Sequence, residues 1–329
     1  MDMSSTLPST LFFEPWGLGD AIIAARVASS VTDIGLCIKP QWHPIVNAIY
    51  PSLYLLPVLL EYTFKHNDFK SAFKQSFPLS SSDYSGKVIS IRGDIRDKMA
   101  MRRMFPKAKI CVSGYYAFAA KKIPLLNIPG KLGLLKVINR YDRWSYDAGL
   151  KPLDKRRERF QTVPYTIQKP IHSIAIHIGT SWLSKRYPWW FKLGTILEKR
   201  GYNVYYLYSS EDRLSQSEKE HEGKLIHFSN GDLVSFIRDK VDLAIVNDSA
   251  PMHLAAALNK MVLVISAVAN VEEWLPPGFV ITITKNKISG YAPLSTYKYD
   301  EIIPDTRRWF TPEEILNYPQ LKSWLEYKG

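Results

Sequence analysis

A strand–turn–helix segment around position 250 carries side chains with a clear chemical meaning. Residues 243–246 form a short apolar run of β-branched character, which predicts a strand, and residues 252–258 are typical of a helix. Asp248, Ser249 and His253 lie in and just after the polar turn between these elements. Because a helix N-terminus presents free backbone N–H groups, this turn is suited to holding a phosphate. Helix capping by Asp248 or Ser249, and a core position for His253, are simpler interpretations that stay open.

A second polar turn, near the start of the chain, contains Gly17, Gly19 and Asp20. It follows a predicted strand at residues 11–14 and precedes a predicted helix at residues 21–31. The two glycines would allow a sharp turn and leave space for a ligand close to the backbone. Asp20 provides either a carboxylate for acid–base chemistry or an ordinary helix cap.

A third segment brings hydroxyl groups and a cation together after a strand. Residues 173–178 read as a strand, and Thr180, Ser181 and Lys185 lie in the polar loop that follows. Hydroxyls and an ammonium group can stabilise the negative charge of a departing phosphate. Glu211 follows a further predicted strand and offers a carboxylate at an equivalent position.

Basic residues are concentrated in the first half of the chain. Residues 1–160 contain 24 Lys and Arg against 13 Asp and Glu, which accounts for nearly all of the net charge of +12. Arg96, after the predicted strand at residues 87–92, begins a basic helix, and residues 121–136 mix cations with leucines. The charge favours contact with a polyanion or an anionic membrane face, although a surface tuned for solubility would look the same. The leucines fit either a membrane-surface contact or a core helix with basic flanks.

The elements that must position these side chains alternate regularly between strand and helix. The alternation restarts after a charged, weakly apolar segment at residues 151–159. This pattern predicts an α/β protein of two Rossmann-like, doubly wound domains, residues 1–160 and 161–329, with the last helices free to pack back on the first domain. The polar turns would then lie at the carboxyl ends of parallel strands, where ligands bind in such folds.

Composition narrows the class of protein. An apolar content of 46% and a charged content of 22% are typical of a globular chain, and no apolar run approaches the roughly 18 residues of a membrane span. The first residues lack a signal-peptide pattern, and Cys37 and Cys111 form no disulfide framework, so we expect a cytosolic protein. With no Asp-x-Asp pair and no dense His/Cys cluster, we expect no metal site.

The wording of residues 247–257, Asn-Asp-Ser-Ala-Pro-Met-His-Leu-Ala-Ala-Ala, closely resembles the nucleotide-binding signature of glycosyltransferase family 9, the bacterial heptosyltransferases. Residues 17–20 are similar to the N-terminal loop of the family, and residues 174–188 to its central phosphate-binding segment. Residues 90–96 are similar to a segment ending in a basic residue that faces the acceptor. The sequence departs from the family pattern at two of these positions. Ala250 stands in place of a glycine, and Tyr187 stands in place of a tryptophan.

The resemblance implies a GT-B fold with the active site in a central cleft between the two domains. It implies inverting, metal-independent transfer of a sugar, heptose from ADP-heptose, to an anionic lipopolysaccharide-core or related glycolipid acceptor at the cytosolic face of a bacterial inner membrane. Asp20 would be the base, Lys185 would stabilise the leaving diphosphate, and Arg96 would bind the acceptor. The donor would be bound by Gly17, Gly19, Thr180, Ser181, Glu211, Asp248, Ser249 and His253.

Features of the sequence also touch on three other functional classes. A non-catalytic nucleotide-sugar or polyanion binder on the same fold remains open, although the retained Asp20 argues against it. A nucleotide-sugar epimerase or dehydrogenase would need a third glycine after Gly17 and Gly19, and the sequence has none at that spacing. Nucleic-acid binding is suggested only by the isoelectric point near 9.4, without a recognised motif, so no nucleic-acid partner is expected.

Overall fold

The computed structural model divides the chain into two compact units. One comprises residues 1–123 and 140–152, and the other residues 124–139 and 153–329. The structure describes residues 7–60, 83–132, 134, 137–150, 170–180, 183–209, 212, 214, 216–219, 225–227, 232–267, 270–285 and 306–328. The predicted connection at residues 151–159 lies outside the described residues.

The first unit is a five-stranded, wholly parallel sheet with helices between its strands. Its strands are β1 (Thr10–Phe13), β2 (Ile34–Ile38), β3 (Leu55–Pro57), β4 (Lys87–Ser90) and β5 (Lys109–Val112). Its helices are α1 (Leu18–Ala28), α2 (His43–Ile49), α3 (Ile95–Met104) and α4 (Tyr115–Lys122), and the returning segment adds α6 (Arg140–Asp147). The strand order is β3-β2-β1-β4-β5.

The second unit is a six-stranded parallel sheet in the order β11-β10-β9-β6-β7-β8. Its strands are β6 (Ser173–His177), β7 (Asn203–Tyr208), β8 (Leu225–His227), β9 (Leu243–Asn247), β10 (Met261–Ile265) and β11 (Val280–Ile283). Its helices are α5 (Ile128–Lys131), α7 (Trp190–Lys199), α8 (Gln216–Lys219), α9 (Asp232–Lys240), α10 (Ala250–Ala257), α11 (Val271–Trp274), α12 (Pro312–Leu316) and α13 (Pro319–Glu326). Short 3₁₀ turns cover Pro40–Trp42, Pro124–Asn127, Leu183–Lys185 and Thr306–Arg308.

Apolar side chains on both faces of the central strands create the core of each unit. All five residues of β9 and all five of β10 are buried, as expected of strands covered on both sides by helices. The last two helices contribute Ile315, Leu321 and Trp324 to the core of the second unit. The sequence had left these helices free to pack back on the first domain, which stays a prediction; the core contacts described here are with the second unit.

The strand orders locate the ligand-binding edge of each sheet. In both sheets the order reverses direction at one place, between β1 and β4 in the first unit and between β6 and β9 in the second. Connections from these strands leave in opposite directions and open a crevice at their carboxyl ends. Asp20 follows β1, Lys185 follows β6 and Asp248 follows β9. The three turns chosen from sequence therefore lie at the two switch points.

Several element boundaries differ from the sequence prediction. Helix α1 begins at Leu18 rather than at residue 21, so that Gly19 and Asp20 lie inside its first turn. Helix α10 begins at Ala250, before the proline that occupies one of its first positions. Among the described residues, no helix is long and apolar enough to cross a bilayer. Cys37 is buried and Cys111 is partly exposed.

Candidate active site

Asp20 is held between two arginines at the switch point of the first sheet. Arg140 Nη1 of α6 donates to Asp20 Oδ1 at 2.5 Å, and Arg92 Nη1, just after β4, donates to Asp20 Oδ2 at 3.5 Å. The two guanidinium groups favour the charged form of the carboxylate, as does the N-terminus of α1. The Asp20 side chain remains 17% exposed. An ionised carboxylate with partial access to solvent can accept a proton from a ligand.

The helix-cap interpretation of Asp20 is not what the structure shows. Gly17 occupies the N-cap position of α1, and Asp20 is the third residue of the helix. Gly17 has a φ of −100°, so the expected sharp turn is made with an ordinary backbone conformation rather than a left-handed one. A Cβ added to Gly17 would meet only Asp20 Oδ2, at 3.5 Å. The residue therefore leaves open space beside the carboxylate, in agreement with the expected room for a ligand.

Glu14 is a buried acid beside this ion-pair cluster, and sequence reasoning did not select it. Its side chain is inaccessible to solvent, and Oε1 lies 3.6 Å from Arg92 Nη1. Neither carboxyl oxygen has a hydrogen-bond partner among the described residues. Burial, reinforced by the negative charge of Asp20, raises the pKa of Glu14 to about 8, although Arg92 and Arg140 oppose the shift. At neutral pH Glu14 is thus protonated, and it adds no negative charge next to Asp20.

Arg92 is itself supported by an aromatic ring and a second buried acid. Its Cζ atom lies 4.4 Å from the centroid of the Trp16 ring. Asp97 Oδ2 accepts from Trp16 Nε1 at 3.3 Å and from Ser90 Oγ at 3.1 Å. Burial raises the pKa of Asp97 to about 6, against the opposing charge of Arg92. These contacts fix the direction in which the guanidinium of Arg92 points.

Arg96, the residue assigned to the acceptor by resemblance, is buried and paired locally. Its Nη2 donates to Asp94 Oδ2 at 2.6 Å, and its Nε lies 3.1 Å from both oxygens of the same carboxylate. Asp94 also caps α3 by accepting from the backbone N–H of Arg96 at 3.0 Å. Arg92, just after β4, is the cation that contacts Asp20. A role for Arg96 in binding the acceptor stays a prediction.

A second polar cluster lies at the switch point of the second sheet and centres on Lys185. Lys185 Nζ donates to Asp248 Oδ2 at 2.8 Å, and its side chain is 18% exposed. Asn247 fixes the loop that carries Lys185, because its Oδ1 accepts from Tyr187 N at 3.2 Å and its Nδ2 donates to Gly179 O at 3.3 Å. A fixed, partly exposed ammonium group at a strand end can neutralise a diphosphate.

The N-terminus of α10 is not capped by its own serine. Ser249 takes the N-cap position, but its Oγ donates to the carbonyl of Asn247 at 3.3 Å rather than accepting from the helix. Its neighbour Asp248 is engaged by Lys185. Helix capping therefore does not explain the serine at position 249. An anion bound at the start of α10 would instead satisfy the free N–H groups of the helix. Ala250 has no left-handed backbone conformation, so the substitution of the family glycine is accommodated.

Thr180 follows Gly179 at the carboxyl end of β6 and is buried. A Cβ on Gly179 would lie 2.0 Å from Asp212 Cγ, so only glycine fits there. Asp212 Oδ2 accepts from Ser209 N at 2.7 Å and lies 3.2 Å from Nε2 of the buried His177. Burial alone would raise the pKa of Asp212, but His177 and the Ser209 hydrogen bonds outweigh it and leave that pKa below its usual value. The Asp212 carboxylate thus supports the loop that presents Thr180.

The remaining predicted residues are less informative. His253 is buried within α10, at 3% exposure, which agrees equally with a core position and with a supporting role behind the helix start. Ser181 and Glu211 lie outside the described residues. Tyr187, which stands where the family has tryptophan, is a core residue whose hydroxyl donates to Phe310 O at 3.0 Å. Within the described part of the chain, no group of three or more metal-binding side chains is found.

Sequence reasoning missed Glu14, Arg92 and Arg140 as members of the site, and it gave Asn247 no role. Arg92 ends the same strand signal that had selected Arg96, so it was within reach of sequence analysis. No pattern in the sequence connects Arg140 with Asp20. Only the packing of α6 beside α1 brings these two residues together.

Two Rossmann-like sheets with polar clusters at their switch points define an α/β protein of the nucleotide-binding class. Residues 148–295 match the model of glycosyltransferase family 9 (heptosyltransferase). This part of the chain is a glycosyltransferase family 9 domain, and the chain is a glycosyltransferase with the two-domain GT-B fold. The sequence prediction of family and fold is confirmed. Among curated protein sequences, none matches the chain.

Solved structures give the same fold. E. coli ADP-heptose LPS heptosyltransferase II is 14% identical, with a TM-score of 0.55 over 96% of this chain and 98% of that one. E. coli heptosyltransferase WaaC with ADP is 13% identical, with a TM-score of 0.58 over 88% and 96%. The dodecameric, iron-containing heptosyltransferase TibC, from enterotoxigenic E. coli, was solved with ADP-D-β-D-heptose; it is 13% identical, with a TM-score of 0.52 over 99% and 78%.

Proposed function

We propose that this glycosyltransferase moves heptose from ADP-heptose to a hydroxyl group of an anionic glycolipid, such as the core of lipopolysaccharide, with inversion at the anomeric carbon. The acceptor oxygen forms the new bond to the anomeric carbon while the bond to the phosphate oxygen breaks. The acceptor proton passes to a carboxylate, and the electron pair of the broken bond leaves with the nucleoside diphosphate. The described residues supply a candidate for each of these tasks.

The observation that carries the proposal is the ion-paired Asp20 at the first switch point. A base for an alcohol must be ionised and must reach the acceptor hydroxyl. Arg140 and Arg92 favour ionisation of Asp20 through contacts of 2.5 and 3.5 Å, and its side chain is 17% exposed. Because the pKa of Glu14 is raised to about 8, Glu14 is protonated at neutral pH and adds no second negative charge beside Asp20. We assign proton removal to Asp20 and its orientation to the two arginines.

The donor half of the proposal depends on the second switch point. Negative charge grows on the diphosphate as the glycosidic bond breaks, and cations and N–H dipoles stabilise it. We assign this role to Lys185, to the uncapped start of α10 and to the hydroxyls of Thr180 and Ser249. Asp248, which orients Lys185, is proposed to contact the nucleotide ribose as well.

The proposed donor is supported by the ligands of structural neighbours, and the proposed acceptor by the basic charge of the chain. Structural neighbours of this chain were solved with ADP and with ADP-heptoses. An anionic acceptor accords with the excess of Lys and Arg in residues 1–160. A lipid-linked acceptor would place the enzyme at the cytosolic face of the inner membrane, as a peripheral protein.

We propose that transfer needs no metal ion, since Lys185 and the helix start can neutralise the leaving group. TibC is iron-containing, so this part of the proposal requires its own test. Activity should survive dialysis against a chelator and show no gain on adding Mg²⁺, Mn²⁺ or Fe²⁺. A loss of transfer that only one of these ions restores would contradict it.

The central experiment is a screen of nucleoside diphosphates and nucleotide sugars by thermal shift, followed by a transfer assay with those that bind. A ligand that binds only the folded state raises the unfolding temperature by mass action. We expect ADP and ADP-heptose to give the largest shifts, and the anomeric configuration of the product, read by NMR, to be inverted. Binding without transfer to any phosphorylated glycolipid would favour the alternative of a non-catalytic nucleotide-sugar binder.

A further inference from the structure

One nitrogen atom of Arg92 lies between two carboxyl groups of the first unit. Arg92 Nη1 is 3.5 Å from Asp20 Oδ2 and 3.6 Å from Glu14 Oε1. The two distances are nearly equal, although Asp20 is partly exposed and Glu14 is inaccessible to solvent. A cation between two acids is drawn towards the one that carries the larger negative charge. The position of Arg92 therefore depends on the charge of Glu14 as well as on that of Asp20.

Glu14 has no hydrogen-bond donor that would stabilise its charged form. Both of its carboxyl oxygens are without a hydrogen-bond partner among the described residues. A buried carboxylate that accepts no hydrogen bond is costly to ionise. Glu14 directly follows β1, so its backbone is fixed to the sheet at the edge that carries Asp20. The transfer reaction proposed above does not use the proton of this acid.

The charged groups around Glu14 come from four parts of the fold. Asp20 is on α1, Arg92 follows β4, Asp97 is on α3 and Arg140 is on α6. When Asp20 and Asp97 are ionised, their two negative charges equal the two positive charges of the arginines. A third carboxylate in the cluster must then take a cation away from another acid. Arg140 holds Asp20 at 2.5 Å, so the more distant Arg92 is the cation that can be withdrawn.

We propose that Glu14 is a positioning residue for the base, and that Glu14 and Asp20 compete for Arg92. While Glu14 is protonated, Arg92 stays with Asp20 and helps to orient its carboxylate. When Glu14 releases its proton to solvent, Arg92 moves to the new carboxylate, and Asp20 loses one of its two orienting cations. Because burial raises the pKa of Glu14 to about 8, this loss falls on the alkaline side of neutral pH. The effect on transfer rests on the proposed function of Asp20, whereas the competition itself needs no substrate.

The competition is tested by the titration of Glu14 in the full chain, followed by NMR of isotope-labelled glutamate carboxyl groups. The signal that is lost in Glu14→Gln identifies the residue. In the wild type we expect a midpoint near pH 8. In Asp20→Asn the midpoint should fall by about one pH unit, because a like charge is removed and Arg92 is no longer shared with Asp20. Asp83→Asn, at an exposed ion pair of the same unit, is the matched control and should leave the midpoint unchanged.

The positioning role is tested by the pH dependence of transfer. Wild-type kcat should fall about tenfold between pH 7 and pH 9, as a single group with a pKa near 8 loses its proton. In Glu14→Gln, whose side chain stays neutral, kcat at pH 9 should remain within about twofold of its value at pH 7. Glu273→Gln changes a buried glutamate of the second unit and should show the same fall as the wild type.

Two results would overturn the proposal. An unchanged midpoint of Glu14 in Asp20→Asn would show that the two acids do not compete, and an equal alkaline fall of kcat in Glu14→Gln would remove the positioning role. The absence of transfer in every form of the protein, together with the lowered midpoint in Asp20→Asn, would remove only the proposed reaction and would support the competition for Arg92.

Discussion

Arg140 Nη1 donates to Asp20 Oδ1 at 2.5 Å, across 120 positions of sequence. Together with Arg92, this contact orients the carboxylate of an acidic residue in the first turn of α1 and favours its charged form. The arrangement fits a base that must be charged before its substrate arrives, and it leads to the first two predictions.

Asp20→Asn should reduce the rate of transfer by about 10²-fold or more, because an amide cannot take up the acceptor proton. The affinity for ADP should change little, since donor binding is assigned to the other unit. The measurements are kcat in a transfer assay and Kd for ADP by calorimetry. Asp83→Asn, at an exposed ion pair with Lys107, is the control. Near-normal turnover of the Asp20 variant would remove it as the base.

Arg140→Gln should lower kcat by about tenfold while leaving KM for the donor unchanged, since Arg140 positions Asp20 and donor binding is assigned to the other unit. Without this cation the carboxylate takes up a proton at higher pH, so the acid limb of the kcat profile should move towards neutral pH. Arg140→Lys should restore part of the rate, and Arg102→Gln, on the exposed face of α3, should have no effect. An unchanged pH profile in a folded variant would show that Arg140 is only structural.

Lys185→Met should weaken ADP binding by about tenfold or more and slow transfer, because a cation that stabilises the diphosphate is lost. It also leaves the buried Asp248 carboxylate without this partner, at a cost of about 1–3 kcal/mol in the free energy of unfolding.

The double variant Lys185→Met/Asp248→Asn separates these effects. It should recover the stability but not the ADP affinity, and Asp248→Asn alone shows how much affinity the carboxylate itself contributes. If the double variant binds ADP like Asp248→Asn, then Lys185 has no direct role with the diphosphate.

Glu14→Gln tests the buried acid. The pKa of Glu14 is raised from 4.5 in the unfolded chain to about 8 in the folded one, so the folded state binds more protons between these values. Protonation of Glu14 therefore makes its full contribution to the free energy of unfolding below pH 4.5, and this contribution is lost as pH rises through 8. We expect the variant to flatten this decline and to exceed the wild type at pH 9 by on the order of 2 kcal/mol, measured by urea unfolding. Parallel curves for the two proteins would show that Glu14 is ionised at neutral pH.

Local sequence patterns were sufficient for most of the fold. The strands predicted at residues 173–178 and 243–246 are found at Ser173–His177 and Leu243–Asn247, because short β-branched runs between turns leave few other structures for a chain to adopt. The start of α1 was predicted three residues too late, because two glycines close together are typical of a turn. In the structure the helix begins at Leu18, between these glycines. The segment at residues 124–139 was assigned to the first domain by its position in the chain, but its contacts place it with the second unit.

The sequence by itself determined the likeness to family 9, the two Rossmann-like sheets and the position of Asp20, Lys185, Asp248 and Ser249 shortly after strands, because each is a property of contiguous residues. Only the tertiary structure decided that Arg92 and Arg140 flank Asp20, that Glu14 is buried beside them and that Arg96 is paired with Asp94. Ion pairs and burial depend on which helices and strands pack together, and no local pattern encodes the distance between residues 120 positions apart.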